Sequence, residues 1–227
     1  APGGPTYAWV PTTTFATKLG AFTAGDLNDG YWTVDLPFSF AFYTNIYTQV
    51  YPSSNGLVGF GAGSVAFTNA TIPAVAAPNN YATCYWDDLR LPSAIDGVWY
   101  ETIGSAPNRI EVLTFWMEDA VYSAGSYPPM QFQMLLYEGT HQIRCQYKAG
   151  KSIAPRWDGQ SATIGLENAA GTDGLLYAYN RNGANSLGPI EEGLAILFTP
   201  PQRPNYTAAK TVQPPSLVYP GNVLTYS

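Results

Sequence analysis

Residues 131–137, Gln-Phe-Gln-Met-Leu-Leu-Tyr, and residues 109–115, Arg-Ile-Glu-Val-Leu-Thr-Phe, carry the pattern that decides the fold. Polar and apolar residues alternate along both stretches, so successive side chains fall on opposite faces of an extended chain. One face then meets a core and the other meets solvent or a second surface. Similar strand signals recur along the chain, and no 12-residue stretch keeps a helical period.

The expected strands are Val34 to Tyr43, Thr48 to Ser53, Gly56 to Gly61, Tyr81 to Asp87, Gly97 to Ile103, Arg109 to Glu118, Met130 to Tyr137, Gln142 to Lys148, Ala162 to Glu167, Leu175 to Tyr179 and Leu194 to Thr199. About eleven strands suit an all-β, two-sheet antiparallel sandwich of jelly-roll type. Ser54-Asn55-Gly56 and Glu138-Gly139-Thr140-His141 supply residues that tolerate positive φ and read as hairpin turns. The expected core comprises Phe38, Phe40, Val58, Phe60, Trp86, Val98, Tyr100, Val112, Phe115, Phe132, Leu135, Ile143, Ile164, Leu166, Ala195 and Leu197.

Outside this body, residues 1–30 read as an arm or edge strand, 31–199 as the sandwich, 200–215 as a Pro-rich linker and 216–227 as a terminal strand. The start without Met suggests a processed, secreted chain, and no apolar run approaches the length that spans a bilayer.

Of the 227 residues, 15% are aromatic, including 17 Tyr, and only 11% are charged. Soluble domains usually carry roughly 25% charged residues, so this surface is built from Tyr, Thr, Ser, Asn, Gly and Pro. Tyr gives wide contact area at small entropic cost, which favours association. A net charge of −6, from 16 acidic and 10 basic residues, leaves no basic stripe for a phosphate backbone and argues against nucleic acid as a partner.

Catalytic motifs are sparse. His141 is the only histidine and lies in an expected turn, where it reads as a solvated residue. Asp87 and Asp88, in Trp86-Asp87-Asp88-Leu89, could bind calcium or act as an acid/base pair, but neighbouring strand residues face opposite ways. Capping of the following turn explains them better. Asp26, Asn28 and Asp29 in "GDLNDG" begin like a calcium loop but run one residue short and have no following Glu at the needed distance. "GFGAGS" at 59–64 precedes no helix that could cradle a phosphate.

Glu101, Glu111, Glu118 and Glu138 read as outward-facing strand positions rather than a facing carboxylate pair. Trp116, Tyr122 and Trp157 are candidates for a flat sugar platform, with core packing the alternative for each. Asn69 and Asn205 head glycosylation sequons. Cys84 and Cys145 are either one disulfide or two buried thiols. No residue set calls for a cofactor.

The segment Leu36 to Gly61, "LPFSFAFYTNIYTQVYPSSNGLVGFG", followed by the "WDDL" turn, resembles the opening of nidogen-type extracellular domains and their bacterial relatives. The likeness continues through "VWYETIGSAPNRIEVLTFWMED", "FQMLLYEGTHQIRCQY" and "ATIGLENAAGTDGLLYAYN" to "GLAILF", covering about Leu36 to Phe198. It implies a non-catalytic β-sandwich module of large secreted or surface proteins and supplies no catalytic residues. Bacterial relatives usually have Pro-Phe where Cys84-Tyr85 stands and often an aromatic at the position of Cys145. Replacement of both supports the disulfide.

The tail, "KTVQPPSLVYPGNVLTYS", resembles the first strand of a repeat domain found in bacterial and archaeal surface proteins. Its strand, with Val218, Val223, Leu224 and Tyr226, either begins a following domain or pairs with another subunit. The expected function is a non-catalytic extracellular structural or adhesive subunit that assembles with copies of itself, or with neighbouring domains, into a filament, sheath or surface layer. The alternative is a glycan-binding module.

Overall fold

The computed structural model describes residues 5–148, 156–181 and 190–201. These contain only β structure, in two packed antiparallel sheets and a small hairpin. The strands are β1 (Thr17–Lys18), β2 (Ala24–Gly25), β3 (Gly30–Tyr31), β4 (Val34–Phe42), β5 (Asn45–Pro52), β6 (Leu57–Phe60), β7 (Tyr81–Trp86), β8 (Leu89–Arg90), β9 (Gly97–Ile103), β10 (Ile110–Asp119), β11 (Met130–Tyr137), β12 (Ile143–Tyr147), β13 (Thr163–Glu167), β14 (Gly174–Tyr179) and β15 (Ala195–Phe198). Every expected strand is present. The two-residue strands β1, β2, β3 and β8 are too short for a period to show, so only pairing reveals them.

The first sheet runs β1-β9-β10-β11-β12-β15, with β8 paired to β10, and the second runs β14-β13-β7-β6-β5-β4. Their inner faces supply one core in which Leu113, Phe115, Phe132 and Met134 meet Phe40, Phe60, Cys84 and Ile164. Phe115 and Phe132 stack across β10 and β11 at 4.7 Å, and Phe42 stacks on Phe60 at 4.0 Å. β4 buries Val34, Leu36, Phe38, Phe40 and Phe42 in alternation. It is an edge strand, and Pro37 on its exposed side is compatible with that place because it needs no ladder donor there.

Cys84 on β7 and Cys145 on β12 are joined by a disulfide, with Cα atoms 5.3 Å apart, which ties the two sheets through the middle of the core.

A bulge in β7 corrects the expected place of Trp86. Thr163 pairs with Trp86 but Gly165 pairs with Thr83, so Cys84 and Tyr85 both oppose Ile164. The extra residue sends both Cys84 and Tyr85 into the core and turns Trp86 outward. There Trp86 packs with Leu57, Ile72 and Tyr81 beneath the loop containing Ala66 and Ala70. Its indole N–H donates to the carbonyl of Ala66 at 3.0 Å.

β15 also differs from expectation. Ile196 and Phe198 are buried, while Ala195 and Leu197 are half-exposed. Pairing with β12 fixes this register, because Cys145, which faces inward, sits opposite Ile196. Tyr100 is likewise half-buried, on the edge of the core.

Candidate functional site

The outer face of the first sheet is not open. Register places Thr114, Gln133 and Gln146 side by side on β10, β11 and β12. Gln146 Nε2 donates to Gln133 Oε1 at 2.8 Å, and Gln133 Nε2 donates to Thr114 Oγ1 at 2.9 Å. Both glutamines are fully buried although they lie on the side away from the core. What covers them is the opening segment of the chain.

That segment crosses the strands in an extended form. The Ala8 N–H donates to Gln146 Oε1 at 3.2 Å, and Gln146 Nε2 donates back to the Ala8 carbonyl at 2.8 Å. Gln133 treats Val10 the same way, accepting its N–H at 3.2 Å and donating to its carbonyl at 2.7 Å. Three residues beyond Val10, Glu101 accepts the Thr13 N–H at 3.3 Å and the Thr13 hydroxyl at 2.7 Å. A primary amide carries a donor and an acceptor side by side, so it can pair with the N–H and C=O of one residue as a neighbouring strand would. The two glutamines therefore read alternate residues of the strap, Ala8 and Val10, the repeat of an extended chain. Trp9 lies under the Lys148 ammonium at 5.5 Å, and burial beside Glu192 raises the Tyr7 hydroxyl pKa.

Glu101 was expected to face solvent, as were Glu111 and Glu118, and all three are buried. Glu111 accepts the Thr102 hydroxyl at 2.6 Å, while its other oxygen has no partner. Burial lifts its pKa to about 7, against the pull of Thr102, with Glu101 adding to the rise. Glu118 accepts the Gly125 N–H at 2.9 Å. Glu138 is at the surface, where the Arg109 guanidinium holds its pKa down at about 2.

The expected acidic sites meet at one end of the sandwich. Asp26 Oδ1 accepts the N–H groups of Asn28 and Asp29 at 2.9 and 3.0 Å, which holds its pKa below the usual range. Asp29 accepts from Asn55 Nδ2 at 2.9 Å, and Asn55 Oδ1 in turn accepts the Leu89 N–H at 2.9 Å. Ser54 Oγ accepts the Gly30 N–H at 2.8 Å. The "GDLNDG", "SSNG" and "WDDL" segments are thus one hydrogen-bonded corner. Gly56 makes its turn at φ +80°, where a Cβ would stand 2.0 Å from the Tyr85 carbonyl oxygen.

Asp87 accepts the Asp88 N–H at 3.0 Å and the Ser161 hydroxyl, and lies 3.7 Å from the Arg156 guanidinium. Arg156 also pairs with Asp119 at 2.7 Å. Burial is the main reason that the pKa of Asp87 is raised. Burial raises that of Asp88 too, with Asp29 contributing. Among the described residues, no three His, Cys, Asp or Glu side chains converge as a metal site would require. Of the weak calcium candidates, Asp26, Asp29 and Asp87 bind backbone, amide or hydroxyl groups, Asn28 donates to Asp29, and Asp88 Oδ1 is buried without a partner.

His141 lies half-exposed at the turn as expected, but its Nδ1 also accepts the Ala41 N–H at 3.3 Å and its ring stands T-shaped to Phe40 at 5.6 Å. Trp157 is buried against Tyr85 and offers no ligand platform, Trp116 tilts on Trp99, and Tyr122 packs on Tyr127. The three do not form one surface. The Asn69 amide nitrogen donates to Ser161 O, Thr163 Oγ1 and Asn180 Oδ1, so the atom a glycan would join is engaged in the fold. Asn205, Val218, Val223, Leu224 and Tyr226, with most of the Pro-rich stretch, lie outside the described residues.

The reading of motifs missed Gln133, Gln146 and the strap they hold. A signal was present: the turn at 138–141 sets Gln133 opposite Gln146, two long amides on the same outward face. No helix among the described residues is long and apolar enough to cross a membrane. No curated protein and no solved structure matches the chain. A family model described as NIDO related matches residues 4–200, and it joins the two-sheet sandwich and the inter-sheet disulfide in pointing to an extracellular domain: the chain belongs to the NIDO-related family.

Proposed function

We propose that the protein is a non-catalytic extracellular structural module that joins copies of itself, or neighbouring domains, through extended segments laid on its sheets. The observation that carries this reading is the amide row of Gln133 and Gln146, which binds an extended chain through its backbone. A surface built for backbone is tolerant of side-chain sequence and suits joining rather than small-ligand chemistry. The polar groups that might have served catalysis are engaged elsewhere: Asp87 with Ser161 and Arg156, Asp119 with Arg156, and His141 with Ala41. Low charge and abundant Tyr reduce repulsion between neighbours. Light scattering and electron microscopy of the purified chain over a concentration series test the reading. Ordered oligomers or filaments support it, and a monomer at every concentration removes self-assembly from it.

A second reading, glycan binding, rests on the Tyr122–Tyr127 pair, ring centroids 4.6 Å apart, beside a cleft of about 530 Å³ lined by Ile95, Glu118, Tyr127, Pro128 and Pro129. Aromatic faces with a nearby carboxylate suit a sugar ring. Binding on a glycan array that is lost in Tyr127→Ala would favour it.

A further inference from the structure

We infer that the strap of residues 5–13 is exchangeable, and that the Gln133–Gln146 row of one copy takes the same strap from a second copy. This inference rests on the self-association proposed above and names the segment and the surface that carry it.

Three features support exchange. First, the strap is attached through side chains. Among the described residues no strand pairs with 5–13, and the polar bonds that hold the segment come from Gln146, Gln133 and Glu101. A copy reaching across from a neighbour would make every one of them again, so exchange costs no contact. The choice between own and neighbouring strap is then set by concentration and by the hinge.

Second, the surface tolerates the open state that exchange must pass through. Beneath the strap lie amides, a hydroxyl and a carboxylate, which water can satisfy when the strap lifts, beside two buried aliphatic side chains of the same face, Val112 and Leu135. A wholly apolar seam in this place would resist opening far more strongly.

Third, the hinge is marked. Between strap and β1 the chain turns at Thr13–Ala16, closed by the Ala16 N–H on the Thr13 carbonyl at 3.2 Å. Phe15 at its tip is 88% exposed, the most exposed large apolar side chain among the described residues. Opening the turn into an extended hinge would carry the strap away, and in a two-fold exchange the hinges of the two copies run side by side. Phe15 then gains an apolar neighbour that it lacks in the single copy. Thr13 is the latch, because its hydroxyl bonds both Glu101 and the Phe15 N–H, the latter at 3.0 Å.

The test uses the full chain with Trp9 replaced by the photo-crosslinking residue benzoylphenylalanine, prepared once unlabelled and once uniformly ¹⁵N-labelled. The two are mixed, incubated over a concentration series and irradiated, and cross-linked peptides are read by mass spectrometry beside light scattering. Strap and sheet peptides of mixed isotope, increasing with concentration and with mass, are expected. Gln133→Leu with Gln146→Leu should reduce the mixed pairs by about tenfold or more, since two sets of bonds are lost. Near-UV circular dichroism verifies that this variant is folded, and Phe15→Ser in an otherwise unchanged chain gives a second, milder reduction. Oligomers that yield only same-isotope pairs would overturn exchange while leaving self-association standing. Monomers with only same-isotope pairs would overturn both.

Discussion

Gln146 donates an amide hydrogen to Gln133 across neighbouring strands, and each then pairs with the N–H and C=O of one residue, Ala8 and Val10, on the same covering segment. The outer face of the first sheet is consequently held as an interior. Covering a sheet by a strap also protects it from unintended partners, since buried amides offer nothing to a passing edge strand.

Removing the amides should free the strap. In Gln133→Leu and Gln146→Leu each change should weaken the cover by about 1 kcal/mol, the net worth of ordinary hydrogen bonds whose partners can turn to water. Hydrogen exchange at Ala8 and Val10 should quicken while core strands stay protected. Unchanged exchange at both amides would show that the row does not hold the segment.

The disulfide should matter more than any single core residue. Cys84 and Cys145 are 61 residues apart, and closing a loop of that length restricts the unfolded chain by about 4 kcal/mol. Reduction, or Cys84→Ala with Cys145→Ala, should lower the urea midpoint accordingly. A change below about 1 kcal/mol would mean that the sheets are held by packing alone.

Glu111 should make stability depend on pH. Its folded pKa of about 7 lies above the ordinary value of 4.5. Below pH 4.5 both folded and unfolded forms are protonated and there is no penalty. Between 4.5 and 7 the unfolded chain ionises first, so stability falls as pH rises, by about 3 kcal/mol in all. Glu111→Gln keeps an acceptor for Thr102 and should flatten this fall. Denaturant midpoints of the two proteins at pH 4.5 and 8 decide the matter; parallel curves would refute it.

Arg156 stands between two buried carboxylates, Asp87 and Asp119. Arg156→Ala should destabilise by about 2–4 kcal/mol at pH 8, because buried charge is left without its partner, and by less at low pH. A cost under about 0.5 kcal/mol at pH 8 would class the pairs with surface ion pairs.

Asn55 links two loops with one side chain. Asn55→Asp keeps the acceptor for the Leu89 N–H but sets a second carboxylate against Asp29, whereas Asn55→Ala removes both bonds. Asp should therefore become the milder change only below the carboxylate pKa range. Thermal midpoints at pH 3.5 and 7 would show a crossover, or its absence would show that the Asp29 contact contributes little.

The strand pattern was legible because each long strand has a wet or covered face and a core face, and Val34–Phe42 writes that alternation directly in its residues. The disulfide was open until the family likeness tilted the choice, since nothing local in "YATCYW" or "IRCQY" says which strand lies opposite. Trp86 and the β15 register were misread for one reason: each depends on a residue elsewhere, the bulge at Cys84–Tyr85 in one case and pairing with Cys145 in the other. Glu101 looked like an outward position, as alternation alone cannot tell solvent from a covering segment, whereas Glu111 shares the inward face of Leu113 and Phe115, against its polar character.

By itself the sequence determined the all-β class, the positions of the long strands and the weakly charged, Tyr-rich surface, because these follow from short-range periodicity and composition. Only the tertiary structure decided that Gln133 and Gln146 face a peptide strap, that Glu111 is buried with an unpaired oxygen and that the acidic motifs form a structural corner. Those facts arise where segments more than 20 residues apart in sequence, such as Val10 and Gln133 with |i−j| = 123, are brought within hydrogen-bond reach, and no local pattern encodes that meeting.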